Sequence, residues 1–117
     1  MAIAEINGAR YCLCAYSALA RKLDLGDKEI RAARRASSAD PQIHAMLRFA
    51  QAVVLQRGGL SDADFQSLRQ AGLTDPLIAE IDSNIALNIF TNYFNSVART
   101  DVDFPMLKPG ADTTARV

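Results

Sequence analysis

The stretch Asn7-Gly8-Ala9-Arg10-Tyr11-Cys12-Leu13-Cys14-Ala15-Tyr16 holds both cysteines of the chain and an Asn-Gly break between two helical patterns. Before it, residues 1–7 read as the end of a helix that stops at Asn7-Gly8. After it, Tyr11, Cys12, Ala15, Leu19 and Leu23 recur at three- and four-residue spacing, which predicts a helix over 9–24 closed by Gly26. Cys12 therefore lies near a helix start. Exposed backbone N–H groups and the positive end of the helix dipole favour a thiolate at such a place.

The same punctuation continues outward. Asp27 is a candidate cap for a short helix through Ile30 to about Ala36. Asp40-Pro41 pairs an N-cap with the residue best suited to the first helical position. Ile43, Leu47, Ala50 and Val54 then form one stripe, widened by Met46, Phe49 and Val53, until Gly58-Gly59. Ser61 and Asp64 resemble a capping box ahead of Phe65 and Leu68, with Gly72 as the stop. Asp75-Pro76 repeats the start signal and opens the longest helix, to about Arg99. No segment alternates with period two for long enough to build a sheet, so the fold predicted is all-α, of about five to six helices. The helical domain spans 1–103; residues 104–117, with Pro105, Pro109 and Gly110, read as an extended tail with a disordered end.

The last helix carries Asn84, Asn88, Asn92 and Asn95 at spacings of four, four and three, which places four carboxamides along one face. Asn is a poor helix-interior residue. The stripe is either a solvated face or a partly buried one that hydrogen-bonds other backbones or a partner subunit. Its neighbours Ile81, Ile85, Phe90, Tyr93 and Phe94 favour partial burial.

Composition narrows the function classes. With 117 residues, 50% hydrophobic and 22% charged, the chain is one globular domain. A domain this small and apolar often buries surface against another subunit. Thirteen basic residues balance thirteen acidic ones, so no net field holds a phosphate backbone and nucleic acid is not an expected partner. The cluster Arg31, Arg34, Arg35 reads as a solvated face, or else as a local anion site. Apolar runs are interrupted well before the roughly 18 residues of a membrane span. The first residues lack the basic and apolar regions of a signal peptide, so the expected location is the cytoplasm, where thiols rest reduced. Two cysteines and a distant His44 do not make a metal site, and there is no phosphate loop, serine elbow or dinucleotide fingerprint. His44, beside Ile43 and Leu47, reads as an ordinary helix residue. No cofactor or metal is expected.

In order and at the right spacing, these segments resemble the AhpD-like (carboxymuconolactone decarboxylase) family. The matching elements are Asn-Gly before the cysteines, Asp40-Pro41 leading to Leu47, Phe49 and Ala50, Leu60 to Asp64, and Leu68 to Gly72. Ile85-Ala86-Leu87-Asn88, Thr91-Asn92-Tyr93, Asn95 and Asp103-Phe104-Pro105 complete the series. Against the family motif, Cys-x-x-Cys and then His, Cys12 takes the second cysteine, Ala9 stands at the first and Tyr16 at the histidine. The family's glutamate, on the preceding helix, falls ahead of Met1.

The resemblance implies an all-α oligomer with the motif at a helix start. It also implies thiol-dependent reduction of hydroperoxides, an antioxidant activity of the peroxiredoxin type. With Ala9 in the motif no internal disulfide forms. Cys12 would then act as a single peroxidatic thiolate, with Tyr16 hydrogen-bonding the sulfur or the peroxide and an external thiol or redox protein as reductant. A phenol, with an ordinary pKa near 10, is a poor base at neutral pH. Such a Cys12 is expected to be partly accessible, at a pocket lined by Tyr16. Cys14 sits roughly 200° around the helix from Cys12; it reads as a small buried residue and not as a disulfide partner. The alternative is a catalytically degenerate member that serves as an oligomeric binding or structural module. Lactone or carboxylate chemistry, as in the decarboxylase branch, would want a general acid or base where Tyr16 stands.

Overall fold

A computed structural model describes residues 1–111 and contains six helices: α1 (Ala2–Ile6), α2 (Arg10–Lys22), α3 (Asp27–Arg34), α4 (Pro41–Gln56), α5 (Asp62–Gln70) and α6 (Asp75–Ala98). Among the described residues there is no strand, as the helical patterning predicts. The end of the tail expected to be disordered, 112–117, lies outside the described residues.

Local chemistry accounts for each boundary. At the start of α4, Asp40 accepts a hydrogen bond from the Ile43 N–H at 2.9 Å, with Pro41 in the first position. At α5, Ser61 Oγ accepts from the Asp64 N–H at 3.2 Å while the Asp64 carboxylate accepts from the Ser61 N–H at 2.8 Å. This reciprocal box satisfies two otherwise free donors. Hydrogen bonding to Ser61 also holds the Asp64 carboxyl below its ordinary value of 3.8.

Three expected boundaries move. The cap of α6 is Thr74, whose hydroxyl accepts from the Leu77 N–H at 3.4 Å, so Asp75 is already helical. The cap of α3 is Gly26, whose N–H donates to Glu29 at 2.8 Å, so Asp27 lies inside. The chain leaves α2 through Asp24 at φ 63, before Gly26 is reached. Asp tolerates this left-handed turn better than most residues.

Two apolar clusters hold the helices. Ile3, Phe49, Ala50, Leu68, Leu73 and Ile85 form the larger one, joining α1, α4, α5 and α6. Ala4, Ala9, Cys12 and Leu13 form the smaller one, with Tyr11, Tyr16 and Leu107 against it. The five residues of α1 lie between them and touch α2, α3, α4 and α6. Full burial of a Leu or Ile side chain contributes roughly 1.5–3 kcal/mol.

The tail forms no helix over its described residues and is fastened to the core. Phe104 packs edge-on against Tyr11, with ring centroids 5.8 Å apart. Arg34, buried with only 4% of its surface exposed, is the fastening point. It pairs with Glu5 at 2.9 Å and donates to the carbonyls of Lys108 at 3.1 Å and Ala111 at 2.6 Å. Glu5 in turn accepts from the Gly110 N–H. The solvated face expected for the three arginines therefore holds for Arg31 and Arg35 alone.

The longest helix presents its polar stripe toward the core side and its aromatics outward. Asn92 is fully buried, Asn88 and Asn95 are half-buried, and only Asn84 is exposed. On the other side Leu87, Phe90, Tyr93, Phe94 and Val97 are each more than half exposed. At 100° per residue they fall within an arc of about 120°. Phe90 and Phe94 stack on one another at 6.1 Å.

Candidate functional site

The N–H of Leu13 closes the first helical turn of α2 on the Ala9 carbonyl at 2.9 Å. That turn brings Cys12 against α6, where Asn95 Nδ2 donates to its Sγ at 3.6 Å. The Asn95 carboxamide is oriented by two further bonds. Its Nδ2 donates to the Thr91 carbonyl at 2.9 Å, and its Oδ1 accepts from the Thr100 hydroxyl at 2.9 Å. The N–H side of the amide is thus fixed toward the sulfur.

Cys12 is 3% exposed, not partly accessible as a peroxidatic thiol was expected to be. Packing of Ala4, Ala9 and Leu13 around it, together with α6, covers the sulfur. A cavity of about 710 Å³ lies beside Asn95, between the first turn of α2, the last turn of α6 and the tail. Ala9 and Asn95 line it; Cys12 and Tyr16 do not. Asn95 thus borders both the sulfur and the cavity, as Ala9 and Tyr11 border both the Cys12 cluster and the cavity.

Tyr16 is half-buried and packs on the Cys12 cluster, but its hydroxyl makes no hydrogen bond to Sγ among the described residues. The donor expected there is supplied instead by Asn95. Cys14 is fully buried and faces the tail: its Sγ accepts from the Leu107 N–H at 3.2 Å and donates to the Leu107 carbonyl at 3.6 Å. Cys12 and Cys14 are both free, and their different neighbours express the rotation expected between them. His44 Nδ1 accepts from the Ser38 N–H at 3.3 Å, far from either thiol in sequence.

Two further groups complete the surroundings. Asn7 Nδ2 donates to Asn92 Oδ1 at 3.2 Å, tying the Asn-Gly break to α6, while Asn92 Nδ2 has no partner among the described residues. The Met1 ammonium is pushed below its ordinary 8.0 by burial, with the charges of Cys12 and Glu5 acting in the opposite direction. Among the described residues no group of three His, Cys, Asp or Glu side chains could hold a metal, and no helix is long and apolar enough to cross a membrane.

Sequence reading missed Asn95 as the partner of Cys12, although its stripe had been singled out. The signal was its register with Asn92: both lie one helical turn apart on the face that meets α2, and both bond into the Asn7–Cys12 stretch. No family model, curated protein or solved structure matches the chain.

Proposed function

We propose that the chain is a thiol-dependent hydroperoxide reductase of the AhpD-like kind that works with Cys12 alone. The observation that carries this reading is the Asn95 carboxamide, which donates to Cys12 Sγ and lines the adjoining cavity. Because Cys12 does not line the cavity, a peroxide there reaches the sulfur only once the Asn95 carboxamide gives up its bonds to Thr91 and Thr100. The Cys12 thiolate, its proton given to solvent, attacks the terminal peroxide oxygen. The O–O bond breaks, the sulfur becomes a sulfenic acid, and the departing alkoxide takes up a proton to leave as an alcohol. One external thiol displaces water from the sulfenic acid to give a mixed disulfide; a second releases Cys12 and leaves as the external disulfide. The balance is one hydroperoxide and two thiols consumed per alcohol, disulfide and water formed.

Assembly through the outer face of α6 belongs to the same proposal. Leu87, Phe90, Tyr93, Phe94 and Val97 make a continuous apolar arc of the kind that marks protein contact surfaces, and a second copy of the chain is the occupant proposed. A catalytically silent oligomeric module is the competing reading, favoured by the burial of Cys12 and by Ala9 at the place of a resolving thiol. Steady-state peroxide consumption with dithiothreitol separates the two. Turnover that disappears in Cys12→Ser supports the reductase. A folded protein with no Cys12-dependent turnover leaves the silent module.

A further inference from the structure

The cavity beside Asn95 carries a charge pattern that thiol chemistry does not call for. Arg10, Arg99 and Lys108 line it against one acidic side chain, Asp101, an excess of two positive charges in a chain of formal net charge +0. None of the three cations forms an ion pair among the described residues. The cavity also reaches the first turn of α2, where Ala9 supplies no side-chain cap for the backbone donors. Val102 and Met106 add an apolar wall. At about 710 Å³ the space has the size of a small-molecule site.

We infer that this cavity binds a small organic acid, its carboxylate held by Arg10 and Arg99 with Lys108 and its apolar body lying against Val102 and Met106. Charge-assisted bonds from guanidinium groups are the strong polar contacts available here, and the apolar wall separates an organic acid from a bare inorganic anion. Where it rests on the proposed activity, the inference makes the substrates hydroperoxides that carry a carboxylate.

Isothermal titration of the full chain with sodium octanoate, octanamide and inorganic phosphate tests the binding without peroxide chemistry. Octanoate is expected to bind saturably at one site per chain, and octanamide and phosphate each at least about tenfold more weakly. The Arg10→Gln, Arg99→Gln double variant is expected to lose about tenfold in octanoate affinity. Both side chains are exposed, so the helical circular dichroism of that variant stays that of the parent. Absence of saturable octanoate binding overturns the inference, as does equal binding of octanamide or phosphate, or an unchanged affinity in the double variant. Octanoate binding by Cys12→Ser at parental affinity keeps the acid site distinct from the redox proposal, so either can fail without the other.

Discussion

Replacing Arg34 by Ala is expected to loosen the tail and destabilise the whole domain. Arg34 and Glu5 are paired at 2.9 Å with side chains 3% and 10% exposed, and the same guanidinium donates to the Lys108 and Ala111 carbonyls. Ala at position 34 leaves a buried carboxylate without its counter-charge and removes the donor from two carbonyls. Breaking a buried pair from one side costs roughly 3–5 kcal/mol, mostly as the penalty on the group left behind. For a domain of this length that is a drop of about 12–20 °C in Tm. Urea unfolding followed by circular dichroism measures the loss, and hydrogen exchange shows whether the amides of Leu107 and Gly110, which donate to Cys14 and Glu5, become unprotected. The double change Arg34→Met, Glu5→Leu is expected to recover part of the loss, since neither charge is then stranded. A single Arg34→Ala variant within about 1 kcal/mol of the parent, with tail amides still protected, would refute the role given to this pair.

The outer face of α6 predicts self-association: light scattering at micromolar concentration should show an oligomer that Phe94→Glu, Val97→Glu dissociates without loss of helicity, and a monomeric parent would contradict it. Asp64 gives a pH signature. Because its folded pKa lies below the ordinary 3.8, its contribution is complete above that value and is lost as pH falls through the lower folded pKa. A carboxyl titration by NMR should place the midpoint of Asp64 below that of the same residue in Ser61→Ala.

The helices were legible because each is punctuated by residues a few positions apart. Asp40-Pro41, the Ser61–Asp64 box and the turn at Gly72 act within one helical turn and need no tertiary partner. Where a boundary moved, a neighbour competed for the same role: Thr74 caps in place of Asp75, and Asp24 turns the chain before Gly26 can. The tertiary features were less legible. Arg31, Arg34 and Arg35 are equivalent by composition, and the middle one is buried by its pairing with Glu5 and by the return of a tail more than seventy residues away. Cys12 and Asn95 are 83 residues apart, so their contact is a product of how α2 crosses α6. Ile85 keeps α6 in the core, but in the second half of that helix Asn92 is inside and Phe90, Tyr93 and Phe94 are outside. This is the pattern expected where a second surface covers the aromatics.

The central claim, that Cys12 is a peroxide-reactive thiol, is tested most directly by treating the reduced protein with one equivalent of an organic hydroperoxide in the presence of dimedone and mapping the adduct by mass spectrometry. The account predicts a sulfenic-acid adduct on Cys12, none on Cys14 and no disulfide between them; a folded protein in which Cys12 stays unmodified would contradict it.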